Sequence, residues 1–204
     1  MIGILKLIIF VALLLLAHVS CGARQGVNVT LYYETLCPDS QRFVSRQLYP
    51  VWKDLKDFIS LKFVPFGKAS GDSIMGFKCQ HGVEECRGNM MQSCVLDMLT
   101  TAGPQMEFVY CVMNSIDGTS AGERCSQKVG VNWIAVQGCM KSKAGINLQL
   151  MAQEQTLSVF NRGLGFVPTV TFNNVYNERD QREALRNFRA VVCRYIGSPA
   201  PDGC

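Results

Sequence analysis

The sequence predicts a disulfide-stapled α/β domain whose elements run β-α-β, a cysteine-rich helical insertion, then β-β-α. Three observations carry this. Strand-like runs near both ends of the chain are each followed by apolar residues at helical spacing. The middle concentrates cysteines, glycines and short helical patterns. Ten cysteines in 204 residues stand behind an apolar leader, a usage that belongs to an oxidising compartment, where cysteines are mostly bridged.

The leader comes first. Lys6 precedes an unbroken apolar run over residues 7–17, and small residues follow around Ser20 to Ala23. This is the layout of a cleaved signal peptide over residues 1–23, since a bilayer crossing needs roughly 18 to 20 apolar residues. No later stretch is longer, so no membrane anchor is expected. Residues 24–204 are one domain by length, and their expected place is outside the cell or in the endolysosomal lumen. Cleavage removes Cys21 and leaves nine cysteines, Cys37, Cys79, Cys86, Cys94, Cys111, Cys125, Cys139, Cys193 and Cys204. An odd number leaves one thiol unpaired, and the sequence alone does not choose among the pairings. The formal net charge of +4 is unremarkable, and no block of like charge points to nucleic acid. Asn28-Val29-Thr30 is an N-glycosylation sequon that the compartment makes usable, so a glycan is expected on Asn28.

Residues 28–35 (NVTLYYET) are rich in β-branched and aromatic side chains and read as a buried strand. Phe43, Val44, Leu48, Val51 and Trp52 then recur at helical spacing, so Cys37 sits where a strand turns into a helix. Pro38 suits the first helical position and Asp39 the first turn, while Pro50 is expected to kink or end the helix. Residues 59–65 (ISLKFVP) alternate like a second strand. Six of the nine cysteines fall within about 68–150, the expected insertion. Residues 166–172 (FVPTVTF) read as a strand, Asn173-Asn174 as a tight turn with positive φ angles, and Val175-Tyr176 as the start of a partner strand. A last helix carries Ala184, Leu185, Phe188, Val191, Val192 and Tyr195 on one face.

That order is the skeleton of a thioredoxin-like fold. In such a fold a redox cysteine opens the helix after a strand and faces a cis proline ahead of a later strand; Cys37 and Pro168 occupy those two places. Only about one X-Pro bond in twenty is cis in folded proteins, so the expectation for Val167-Pro168 rests on this resemblance.

The run from Cys79 to Cys94 (CQHGVEECRGNMMQSC) matches the pattern CQHGxxECxxNxxxxC. It resembles the signature of the gamma-interferon-inducible lysosomal thiol reductases. The likeness extends to residues 28–34 before the cysteine loop, to Val167-Pro168 with Val170, and to Cys193 and Cys204. The resemblance implies a thioredoxin-like fold with a helical insertion, residence in the secretory or endolysosomal pathway, and reduction of protein disulfides at acidic pH. The family's CxxC places its first cysteine at Cys37, but its second falls on Ser40. Asn173-Asn174 stands where Asn-Gly is usual.

The signature has two other readings. Cys79, His81, Cys86 and Cys94 could ligate zinc, but in this compartment bridges are favoured, so no metal and no bound cofactor is expected. His81 is read as a hydrogen-bonded scaffold residue, the alternative being a base beside Cys37.

A helix N-terminus presents free N–H groups and a partial positive charge, both of which favour a thiolate at Cys37. In a CxxC enzyme the second cysteine resolves the mixed disulfide with substrate; Ser40 cannot. Asp39 stabilises the helix start, yet a carboxylate so close also opposes ionisation of the thiol. Three readings follow. In the first, Cys37 is a monothiol nucleophile acting on protein disulfides, resolved by an external thiol such as glutathione or by a substrate cysteine. In the second, the chain is a redox-inactive secreted protein that keeps the fold and binds a protein partner. In the third, Cys37 is a structural thiol.

Overall fold

The computed structural model describes residues 26–116, 118–160 and 165–204; the expected signal segment, residues 1–23, lies outside the described residues. Strand β1 (Val27–Tyr33) is the centre of a three-stranded sheet of order β2-β1-β5. It pairs parallel with β2 (Ile59–Pro65) in register Val27 to Ile59, and antiparallel with β5 (Thr169–Phe172), Leu31 facing Val170. A parallel neighbour requires a crossover, and the helical run after Cys37 supplies it.

That run is one rod in three parts, α1 (Pro38–Phe43), a π-helical segment Val44–Leu48, and α2 (Tyr49–Leu55). The run continues past Pro50 to Leu55, so the helix does not end at the proline. The widened turns, with Tyr49 N–H donating to Val44 O, shift the carbonyls with which a proline ring would collide in a regular α-helix, so the chain continues through.

A small hairpin, β3 (Ser70–Asp72) and β4 (Gly76–Lys78), opens the middle of the chain. It is followed by α3 (Val83–Met98), α4 (Ala102–Met113), α5 (Gly122–Lys128), α6 (Trp133–Met140) and α7 (Lys143–Val159). The helical stretch thus continues past Leu150. Three bridges staple it, Cys79–Cys86, Cys94–Cys139 and Cys111–Cys125, and a fourth, Cys193–Cys204, ties the C-terminal segment to the last helix, α8 (Glu178–Ile196). Among the described residues Cys37 is the free cysteine, and it is buried.

The main core lies between one face of the sheet and the helices. Val29, Leu31 and Tyr33 of β1, Leu61 and Phe63 of β2, and Val170 and Phe172 of β5 meet Phe43, Leu48 and Leu55 of the first rod and Phe188 and Val192 of α8. The expected apolar face of α8 is present: Ala184, Phe188, Val191 and Val192 are fully buried. The helix breaks at Asn187 (φ −147°, ψ 72°). The amide this exposes, Phe188 N–H, donates to Gln47 Oε1 at 3.1 Å, and Asn187 Oδ1 accepts from Ala190 N–H, so Asn187 caps the second half. Asn173 and Asn174 both take positive φ (50° and 63°). The partner strand expected after them reduces to a single bridge between Phe172 and Val175, because Val175 is exposed and Tyr176 packs its ring on Phe160 instead.

Closing a loop in the unfolded chain stabilises the fold more the longer the loop. Cys94–Cys139 spans 45 residues, against 7 for Cys79–Cys86. Replacing Cys94 and Cys139 by alanine should therefore cost about 4 kcal/mol, and replacing Cys79 and Cys86 about 2 kcal/mol. Urea denaturation of the two double variants measures this; equal losses would show that loop entropy does not set the ranking.

Candidate active site

Cys37 is the N-cap residue of α1, with extended backbone (φ −68°, ψ 118°); its carbonyl accepts the first helical bond, from Gln41 N–H at 3.0 Å. Pro38 occupies the first turn, where a missing N–H costs no hydrogen bond. Cys37 is 6% exposed and packs with Tyr32, Val64, Phe66, Ala152 and Val167, a small apolar cluster separate from the main core. Its Sγ lies 3.8 Å from Val167 O. The Val167–Pro168 bond is cis, so the sulfur and this proline turn face one another across the end of the sheet. Asp39 is half exposed and pairs with Arg42 at 3.1 Å. Ser40 is fully buried, and its Oγ accepts from Glu34 N–H at 3.4 Å.

The proline turn is clamped by a residue that the sequence reading passed over. Gln181 on α8, 5% exposed, accepts from Val170 N–H through Oε1 at 2.8 Å and donates from Nε2 to Pro168 O at 2.9 Å. Its amide thus satisfies two buried backbone groups flanking Thr169, in the manner of a missing strand neighbour.

The other side of the cysteine loop rests on the signature helix. Thr35 N–H and Thr35 Oγ1 both donate to Asn89 Oδ1, at 2.9 and 2.8 Å. Gln92 Nε2 donates to Thr35 Oγ1 at 2.9 Å, while Tyr33 OH donates to Gln92 Oε1 at 2.6 Å. Tyr33 is completely buried, and burial pushes its hydroxyl well above the usual tyrosine range. Within the signature, Gly82 caps α3 at φ 85°, a conformation L side chains avoid. Glu85 Oε1 accepts His81 N–H at 2.9 Å and its Oε2 lies 2.6 Å from His81 Nδ1. Each of these positions shapes or anchors the helix against the loop that carries Cys37.

His81 is held by two carboxylates, Glu85 and, at 3.4 Å, Glu34. Glu34 is buried, which pushes its carboxyl above the ordinary glutamate range; the Lys68 N–H bond partly offsets this and the nearby Glu85 adds to it. With Cys79, Cys86 and Cys94 in bridges, the cysteine-based zinc set weighed above is not available. Asn28 is an exposed residue of β1. Among the described residues no helix is long and apolar enough to cross a membrane.

A central strand flanked by one parallel and one antiparallel neighbour, a cysteine opening the following helix and a cis proline facing it define a thioredoxin-like fold. The match to the Chlamydia trachomatis DsbA structure agrees: TM-score 0.59, 15% identity, over 85% of this chain and 89% of that one. Residues 28–129 match the family model "Gamma interferon inducible lysosomal thiol reductase (GILT)". A gamma-interferon-inducible lysosomal thiol reductase-like protein of Anopheles gambiae is 35% identical over 96% of this chain and 88% of its own length. The gamma-interferon-inducible lysosomal thiol reductase of Carassius auratus is 31% identical over 87% of this chain and 72% of its own. The chain belongs to the GILT family.

Gln181→Leu keeps the side-chain volume but strands Val170 N–H and Pro168 O. Unpaired buried groups cost about 1–3 kcal/mol each, so chemical denaturation should show a loss of about 2–6 kcal/mol. A loss below 1 kcal/mol would show that the clamp contributes little to holding the turn.

Proposed function

We propose that this GILT-family chain is a monothiol thiol-disulfide oxidoreductase of the secretory or endolysosomal pathway, with Cys37 as nucleophile and protein disulfides as substrate. The observation that carries this reading is the free Cys37 at the start of a helix, its sulfur 3.8 Å from the carbonyl that precedes cis Pro168.

In the first step the Cys37 thiolate attacks one sulfur of a substrate disulfide. The Cys37–substrate bond forms, the substrate S–S bond breaks, and the departing thiolate takes a proton from water. Ser40 sits where a resolving sulfur would, but a hydroxyl cannot become half of a disulfide. Resolution therefore comes from outside. A glutathione thiolate attacks the Cys37 sulfur and the second substrate thiol leaves; another glutathione then takes the first off Cys37 as glutathione disulfide. The substrate gains two electrons and two protons, and the two glutathiones lose them. Where a substrate cysteine resolves the bond instead, the outcome is isomerisation. Pro168 and the Val167 carbonyl form the wall against which the substrate segment lies. The signal segment 1–23 and a glycan on Asn28 belong to the same secretory reading.

A second reading, a redox-inactive protein that binds a partner, is favoured by one feature. Ile74, Met75 and Val83 are 89%, 85% and 78% exposed, and they line a cavity of about 670 Å³ with Trp133 and Met140.

Disulfide reduction by the purified protein, with and without glutathione, separates the two. The parent should be active only with glutathione, Cys37→Ser inactive, and Ser40→Cys active with a dithiol reductant alone. A parent and a Cys37→Ser variant that are equally inert, beside an active Ser40→Cys, would exclude the enzyme reading. Thiol titration of the processed chain in denaturant should count one thiol, abolished by Cys37→Ser.

A further inference from the structure

We propose that Glu34, His81 and Glu85 form a divalent transition-metal site, Zn²⁺ being its probe, that ties the end of β1 to the N-terminus of the signature helix α3. The ligand-capable atoms of the three side chains lie within 4.8 Å of one another.

The two carboxylates are arranged alike. Glu34 Oε1 accepts Lys68 N–H at 2.7 Å, and Glu85 Oε1 accepts His81 N–H at 2.9 Å. Each glutamate thus spends one oxygen on a backbone amide and turns its Oε2 toward His81 Nδ1, which lies 3.4 Å from Glu34 Oε2 and 2.6 Å from Glu85 Oε2. Backbone amides that fix ligating carboxylates in this way are the outer shell of metal sites.

The independent observation is Glu34 Oε2. It belongs to a side chain with no exposure and has no hydrogen-bond partner. A buried carboxylate oxygen without a donor is costly, and a single histidine proton, already taken at 2.6 Å by Glu85, does not serve both glutamates. A cation between the three atoms would. Two carboxylate oxygens and one imidazole nitrogen suit Zn²⁺ and its neighbours, with bonds of about 2.0–2.2 Å and a fourth position left for water. His81 closes the site at the surface, its side chain 31% exposed, so an ion has a path in. Binding would displace the Nδ1 proton and draw the two Oε2 atoms together.

The local chain is built around Glu34. Gly67 holds φ 62°, and a Cβ there would stand 2.2 Å from Glu34 Cγ. His81, read from sequence as a scaffold residue, and Glu85 of the same signature thereby share one function with a glutamate some fifty residues away.

Titration of the disulfide-intact chain with Zn²⁺ by calorimetry at pH 7, with Co²⁺ absorption as second readout, tests the proposal. Cys37→Ala is the reference, because a thiol binds zinc on its own. One ion per chain is expected in the parent and in Cys37→Ala, with the Co²⁺ spectrum of nitrogen and oxygen ligands and no thiolate charge-transfer band. Glu34→Gln and, at the rim where folding is least at risk, His81→Ala should each weaken binding at least tenfold, with circular dichroism unchanged. Three results would overturn the site: no binding, binding that disappears in Cys37→Ala, or binding equally tight in His81→Ala.

Discussion

Thr35 lies two residues past the end of β1, in the turn that leads to Cys37, where its N–H has no strand to receive it. Asn89 Oδ1, from the middle of α3, takes that N–H and the Thr35 hydroxyl together. Gln92, three residues on, links the same hydroxyl to Tyr33 OH. All four residues are buried, and in so apolar a setting each bond is strong and each missing partner expensive. The loop carrying Cys37 therefore has one place to sit, and α3 sets it. The insertion is not an appendage to the sheet but the back wall of the candidate site, and two of its bridges, Cys79–Cys86 and Cys94–Cys139, are anchored on α3 itself.

The same dependence explains the spacing of the signature. Glu85 and Asn89, fixed positions of the pattern four residues apart, lie on the buried face of α3, and Gln92, at a variable position, continues that face. Gly82 starts the helix, the bridge Cys79–Cys86 pins its first turn, and Cys94–Cys139 ties its last third to α6. The signature is thus a set of docking and capping contacts made by one helix, and none of its side chains is in the apolar cluster that surrounds the Cys37 sulfur.

Much of the fold was legible because its signals are local. Alternation gave residues 59–65 as a strand, and the Asn pair announced its positive φ angles. Legibility failed where a tertiary contact outbid a local preference. Pro50 was tolerated by a π segment, the strand after Asn174 gave way to the packing of Tyr176 on Phe160, and α8 was broken at Asn187 with Gln47 receiving the freed amide. In the site, Cys37, Ser40 and Pro168 could be named in advance because a strand-to-helix junction and a family pattern mark them. Glu34 and Gln181 could not. A glutamate closing a strand and a glutamine on an amphipathic helix look like solvated residues until the fold brings Lys68 and His81 to the one and the proline turn to the other.

Ser40 shows how far scaffold and chemistry are separable here. It is fully buried, and its hydroxyl accepts Glu34 N–H, so the position is filled and hydrogen-bonded rather than left as a defect. The hydrogen bonds that Asn89 and Gln92 of α3 make toward the cysteine loop end on Thr35 and Tyr33, upstream of residue 40, and need no sulfur there. The contacts that hold the cysteine loop against α3 are therefore complete with a serine at residue 40. On the proposed monothiol reading, what that serine removes is the intramolecular attack that frees a reduced substrate, and what it leaves is a nucleophile whose covalent partner departs only when another thiol arrives. Under that proposal the rate of release would follow the supply of that thiol, so the thiol content of the compartment, rather than the geometry of the protein, would limit turnover.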